Sequence, residues 1–400
     1  MKVNQLFILF LLMTFLALFS NAQKLDSKNY HTIRGSLNNS SLKFEKEKKG
    51  RVVFLGGSIT YNYGWRDSVC NFLQQKFPNT EFEFINAGIP SMGSTPGAFR
   101  FERDVLKNGK VDLLFVEAAV NDDTNKTPPK EIIRGMEGIV RHAKTANPLC
   151  DIVMMHFVDP EKMEDYRNGK IPEVIQLHEK VAEHYNISTI NLAKEVTERI
   201  NALEFNWEND FKDLHPSPFG QNIYFQSMKQ FLANCFNSVD FDGKQDVTEM
   251  PAPLDKFSYS NGILVEPNPP KTIKGWEFVE NWNPENNKGT RSNYVNVPML
   301  VGEYPGIIVK FQFKGNAVGI AVAAGPDAGI IEYSVDNSDW KKQDLFTDWS
   351  ENLYLPWFYT LDSGLKKGKH TLQIRLTDEK NPKSTGTKCI IRYFYFNGTN

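Results

Sequence analysis

Ser58 is the first residue in this chain whose setting supports chemistry. It closes the run Arg51-Val52-Val53-Phe54-Leu55-Gly56-Gly57-Ser58. The apolar stretch reads as a buried strand that stops at two glycines and a serine. A helical pattern follows, with Trp65, Val69, Phe72, Leu73 and Phe77 on one face. Strand, glycine pair and helix put the Ser58 hydroxyl at the carboxyl end of a strand, where open α/β sheets bind ligands. The glycines let the backbone turn tightly and let a ligand come close. Ser58 is therefore a candidate nucleophile. A tight turn with a capping serine fits the same residues.

Three further stretches carry polar residues in comparable places. Asn86-Ala87-Gly88-Ile89-Pro90-Ser91-Met92-Gly93-Ser94-Thr95 follows a second strand pattern. Glu117-Ala118-Ala119-Val120-Asn121-Asp122 ends a third, and Asp213-Leu214-His215-Pro216-Ser217-Pro218 precedes a long helix. All lie at carboxyl strand ends or the equivalent edge. In a doubly wound sheet they converge on one crevice.

The elements that must position these loops alternate. Strands are expected at 51–56, 82–87, 111–117, 151–157 and 187–190. Helices are expected near 64–77, 96–107, 130–146, 171–185, 192–203 and 217–235. Regular βα alternation implies a parallel sheet covered on both faces, with right-handed crossovers. After about residue 237 the helical period fades. Asp240-Phe241-Asp242-Gly243 and Met250-Pro251-Ala252-Pro253 mark a linker over 238–255. Residues 256–400 hold short β-rich runs between turn signals such as Gly325-Pro326-Asp327 and Asp336-Asn337. That spacing predicts a β-sandwich of jelly-roll type. The sandwich is expected to act as a separate module. The rival is that it packs over the crevice, with the loop Gly325-Pro326-Asp327-Ala328-Gly329 as the contact.

Length and composition bound the rest. The chain has 400 residues, enough for two domains, and a formal net charge of −2 that gives no support for nucleic-acid binding. Residues 1–22 combine Lys2, an apolar core and small residues at a cut after Ala22, which reads as a secretory signal. No later stretch is long and apolar enough to span a bilayer. The expected product is secreted or periplasmic, with no membrane partner. Residues 23–49 are polar and read as an N-terminal arm before the first domain at 50–237. The four cysteines, Cys70, Cys150, Cys235 and Cys389, are scattered. Buried free thiols are expected rather than disulfides. The seven histidines show no metal-ligand spacing, so neither metal nor cofactor is expected.

Over roughly 50–237 the sequence resembles the SGNH hydrolases, also called the GDSL esterase/lipase family. The resemblance rests on four blocks in the family's order: Ser58, Gly93 (or Gly88), Asn121 and His215. It implies a flavodoxin-like three-layer α/β/α domain and hydrolysis of carboxylic esters. Ser58 would attack the carbonyl after His215 takes its proton. The Ser58 and Gly93 N–H groups and the Asn121 amide would form the oxyanion hole. The α/β-hydrolase elbow Gly-x-Ser-x-Gly is absent, because Thr60 holds its last position.

Two positions depart from the family pattern. Ala119 stands where the third block begins with glycine. Lys212 stands three residues before His215, where the family places its orienting aspartate. Asp213 is taken as the third member of the triad, with Asp210 or a backbone carbonyl as rivals. Arg66 could hold a substrate oxygen or make a surface ion pair. His156 reads as a satisfied core histidine, and Glu117 as a partner for a neighbouring loop. Trp340, Trp349, Trp357, Phe358 and Tyr359 could stack on sugars or fill a core. The expected function is an exported serine esterase that removes O-acetyl groups from a polysaccharide. A lipid or short-chain acyl esterase and a non-catalytic glycan-binding protein are the alternatives.

Overall fold

The structure is a computed structural model that describes residues 24–399, apart from 248, 269–271 and 286. The signal expected at 1–22 lies outside the described residues. The first sheet contains β1 His31–Thr32, β2 Lys49–Gly56, β3 Glu81–Gly88, β4 Leu113–Val116, β5 Asp151–Met155 and β6 Ser188–Ile190. Their order is β1-β6-β5-β4-β2-β3. Strands β2 to β6 are parallel, and β1 adds antiparallel to β6. Without β1 this is the flavodoxin-like order, with its switch point between β2 and β4. The chain leaves β2 toward β3 on one side and later lays β4 on the other. The loops after β2 and β4 therefore part and open a crevice.

Among the described residues, ten α-helices surround this sheet: α1 Asn38–Lys46, α2 Ser58–Tyr61, α3 Trp65–Lys76, α4 Ser94–Phe99, α5 Ala119–Thr124, α6 Pro129–Ala146, α7 Pro160–Arg167, α8 Glu173–His184, α9 Leu192–Asn201 and α10 Pro218–Asn237. Alternation along β2 feeds two cores. Val52 and Phe54 pack with α3 and α10, while Val53 and Leu55 pack with α4 and α6. The strands expected from sequence are all present. Among the helices, α1, α2, α5 and α7 were not expected, because four to nine residues hold too few turns to show a period.

The described part of the N-terminal arm, residues 24–48, is folded onto the first domain. They supply β1 and α1, and polar contacts tie them down. Ser27 Oγ donates to Glu195 Oε1 (2.5 Å), and Arg199 donates to the Leu25 carbonyl (2.8 Å). Apolar periodicity does not register such anchors, so the sequence pattern missed them.

The second domain is a ten-stranded β structure. Among the described residues its pairings are antiparallel, except where Gly289–Thr290 lies parallel to the long strand Leu353–Lys380 and at the isolated parallel bridge Ala328–Lys388. That strand pairs along most of Val309–Ala324, and Val318, Ile320, Ile331, Leu372 and Ile391 fill the interior. The four cysteines are free thiols, three of them buried.

The two domains share a core. Phe99 of α4 lies between Tyr259 and Tyr395, with ring centroids 4.7 and 4.4 Å away. Arg134 of α6 is buried and donates to Asp255 (2.8 Å) and Ser363 (3.1 Å). The Gly262 N–H donates to His142 Nε2 at 3.0 Å. Burial holds the His142 imidazole down to about 4, so it stays neutral and can accept. The separate-module expectation therefore gives way to a continuous interface. Phe99→Ala should lower stability by about 3–5 kcal/mol, the usual loss for a buried aromatic. Denaturant unfolding of the full chain measures it. A change below about 1 kcal/mol would mean the domains do not unfold as one.

Candidate active site

The nucleophile loop is built from close approaches. Gly57 ends the turn after β2, and a Cβ there would collide with Asn121 Oδ1. A Cβ on Gly56 would collide with Glu117 Oε1. Only glycine lets this turn sit against the end of β4. Ser58 opens α2, and its Oγ lies 2.7 Å from His215 Nε2. Trp65 is buried and donates to the Ile59 carbonyl (3.2 Å); Arg66 donates to the Thr60 carbonyl (3.2 Å). Both pin α2 from below, so Arg66 is occupied by backbone and by Asp67 (3.3 Å).

His215 arrives from a different direction. The π-helical segment Trp207–Phe211 ends at Lys212, which has φ of 86°. The chain reverses there, and Asp213 Oδ1 accepts the His215 backbone N–H at 2.5 Å. The same oxygen lies 3.7 Å from His215 Nδ1. That is beyond a hydrogen bond, and the side chains are 46% and 66% exposed. Asp213 thus holds the loop and flanks the imidazole. Asp210 is turned away: its Oδ2 accepts the Asn206 N–H (2.8 Å). Ser217 caps α10 behind His215, accepting from the Gly220 N–H.

Asn121 lies on α5, at the end of β4, and lines the same cleft as Ser58 and His215. Buried carboxylates stand on both sides of it. Glu117 Oε1 accepts the Gly57 N–H (2.6 Å) and the Thr60 hydroxyl (2.9 Å). Asp122 Oδ1 accepts the Ser94 N–H (2.8 Å), and its Oδ2 meets His178 Nε2 (2.9 Å). One carboxylate fixes the loop of Ser58 and the other the loop of Gly93. The Gly88 N–H donates to Asn86 Oδ1 (3.0 Å), so Gly88 is committed to its own turn. The Gly93 and Ser58 N–H groups have no backbone or side-chain acceptor among the described residues. Gly93 lies in the loop whose Ser91 lines the Ser58 cleft. It lines an adjoining crevice of about 280 Å³, with Trp357 opposite.

The cleft holds about 440 Å³ and takes one wall from the second domain: Arg291, Trp349, Leu353 and Leu355. The loop at 325–329 is not in that wall. Among the aromatic candidates, Trp349 lines the cleft and its ring lies 5.8 Å from Trp357. Phe358 packs on Tyr395 in the interface, and Trp340 lies under Arg375. His156 is fully buried against Glu179 (2.9 Å), as a core histidine. Sequence reasoning missed Asp122 and Arg291. The first sat beside Asn121 in plain view; the second carried no local signal. No group of three or more metal-ligating side chains occurs among the described residues.

A serine and an imidazole thus meet at the switch point of an α/β sheet. Residues 54–223 match the GDSL-like lipase/acylhydrolase family model. No curated protein sequence matches the chain. Two solved structures match nearly its whole length. One is a two-domain esterase (CEX) active on acetylated mannans. It has a TM-score of 0.74 at 21% identity and covers 94% of this chain and 99% of its own. The other is the same description co-crystallised with mannopentaose, with a TM-score of 0.73 at 20% identity, covering 94% and 98%. At this identity the likeness establishes the two-domain fold.

Two measurements probe the supports of the site. Burial pushes the Glu117 carboxyl up to about 7, against hydrogen bonds from Gly57 and Thr60 that pull it down. The folded chain therefore holds this proton more tightly than the unfolded chain. The stabilisation is complete below about 4.5 and is lost as pH rises through about 7. Glu117→Gln keeps an acceptor and removes the titration. Between pH 4.5 and 7.5 the wild type should lose up to about 3 kcal/mol more stability than the variant. Parallel pH curves would show that Glu117 does not titrate in this range.

Asp213→Asn should lower kcat on a chromogenic acetate by about tenfold, far less than the ~10⁴ lost when a buried orienting aspartate is changed. Asp210→Asn should stay within a few-fold. A loss above about 10³ for Asp213→Asn would mean that the 3.7 Å contact closes to a hydrogen bond during turnover.

Proposed function

We propose that this protein is a serine esterase that removes O-acetyl groups from a polysaccharide. The observation that carries the reading is the 2.7 Å contact between Ser58 Oγ and His215 Nε2, in a cleft walled by both domains. His215 takes the Ser58 proton as Oγ attacks the ester carbonyl. The tetrahedral intermediate places its oxyanion against the Ser58 N–H, the Asn121 amide and the Gly93 N–H. Collapse releases the sugar alcohol, which takes its proton from His215. Water, activated by the same imidazole, then frees acetate from the acyl-serine. Asp213 stabilises the imidazolium by charge and holds its backbone.

The substrate class draws support from two sides. A wall containing Trp349, with Trp357 beyond it, gives sugar rings a flat apolar face. The two structures that share both domains are described as active on acetylated mannans. An exported location follows from the signal expected at 1–22, and sorting of a tagged chain tests it. The central experiment is acetate release from a panel that includes acetylated mannan and acetylated xylan. Wild type should release acetate, and Ser58→Ala should lose at least about 10³-fold while keeping its fold by circular dichroism. Activity within a few-fold of wild type in Ser58→Ala would remove the serine mechanism. Hydrolysis of small esters with no release from any glycan would remove the polysaccharide.

A further inference from the structure

Arg291 is a cation in the cleft with no anion beside it among the described residues. It follows the short strand Gly289–Thr290, which pairs with Leu353–Tyr354, and Thr290 Oγ1 donates to the Tyr354 carbonyl (2.6 Å). It precedes the 3-10 turn Ser292–Tyr294, whose Tyr294 is buried. The backbone on either side is thus fixed, and the side chain enters the cleft that holds Ser58. Its sole polar contact among the described residues is a long one, from Nη2 to Ser91 Oγ at 3.4 Å. Its Nε is buried with no partner among them. Among the described residues, no aspartate or glutamate lines the cleft. Asp348, next in sequence to the wall residue Trp349, is paired with Lys126 at 3.4 Å.

A half-buried guanidinium normally meets a carboxylate, because its desolvation is otherwise uncompensated. Here burial draws the Arg291 guanidinium below its ordinary value, and no neighbouring charge opposes that. A neutral sugar would offer hydroxyls but leave the charge unpaired. A carboxylate would accept two parallel N–H bonds from the guanidinium fork. We propose that Arg291 is a specificity-determining residue that binds the carboxylate of an acidic, uronate-containing glycan beside the ester under attack. This rests on the ester-hydrolase reading of the cleft. It narrows the substrate from acetylated polysaccharide in general to one with a carboxylate within reach of Arg291.

The test uses the full chain and a readout that needs no acetylated polymer. Hydrolysis of a chromogenic acetate is measured against competing oligosaccharides of glucuronic, galacturonic and mannuronic acid. Each is compared with its carboxyl-reduced, neutral counterpart. At least one uronate series should inhibit about tenfold or more better than its neutral partner, as expected from one charge-assisted hydrogen bond. That preference should shrink with added salt. In Arg291→Met the ratio should fall to within about twofold, and in Arg291→Lys part of it should return, since lysine keeps charge but not the fork. Equal inhibition by acidic and neutral forms in wild type overturns the proposal. So does a preference that survives in Arg291→Met, or no inhibition by any uronate. Should Arg291→Met not fold, the wild-type ratio and its salt dependence decide the matter alone. Acetate release from neutral acetylated glycans without uronate inhibition would sink the Arg291 assignment and leave the esterase standing. Uronate inhibition without acetate release from any glycan would do the reverse.

Discussion

Two buried carboxylates at the end of β4 organise the catalytic edge. A buried carboxylate must find donors, because leaving it unsatisfied is far more costly than any contact it makes. Glu117 and Asp122 find theirs in the backbone of two loops that come from different strands. Glu117 takes the N–H of Gly57, the residue before Ser58. Asp122 takes the N–H of Ser94, the residue after Gly93. Asn121 sits between them on α5. Ser58, Asn121 and the Gly93 loop are thereby referred to one short segment, 117–122. His178 and Arg100 stand behind it: His178 meets Asp122, and the buried Arg100 donates to the Gly56 carbonyl (3.2 Å). Movement of this segment would disturb every donor at once, which suits a site whose donors must be aimed before charge develops.

The imidazole is held on other terms. Its loop comes late in the chain, is partly exposed, and closes on Ser58 through one 2.7 Å contact. The carboxylate beside it serves the backbone N–H first and the ring second. The site thus joins a half tied by buried carboxyl groups to a half tied by a surface turn. Loops carry such groups because the scaffold beneath them does not have to move.

The second domain walls the cleft of the first. Its interface is a core, with Phe99, Tyr259 and Tyr395 in mutual contact, rather than a wet surface between loosely linked modules. That packing fixes the strand Leu353–Lys380 beside the catalytic edge. Trp349, Leu353, Leu355 and Arg291 then become cleft wall. The α/β domain supplies Ser58, Asn121 and His215 to the cleft, and the β domain supplies the facing wall.

Residue order by itself determines much of the first domain. The apolar runs at 51–56, 82–87 and 111–117 state their strands, because burial on both faces of a parallel sheet demands continuous apolar residues. Ser58, Asn121 and His215 follow from residue type and their place at strand ends. Local sequence also excludes Gly-x-Ser-x-Gly chemistry. What it cannot state depends on distance in space. The folded lead-in 24–48 is held by polar contacts to α9 and α10, some 170 to 200 residues away. That the Gly88 N–H is already bonded to Asn86 is visible only in the folded chain. The role of Asp213 turns on one distance. Arg291 lies in a run with no motif, and only the pairing of Gly289–Thr290 with a strand sixty residues later carries it into the cleft. Sequence patterns report what each residue prefers locally; the partner of a buried charge is decided by the tertiary fold, because burial removes the water that would otherwise serve any of them equally.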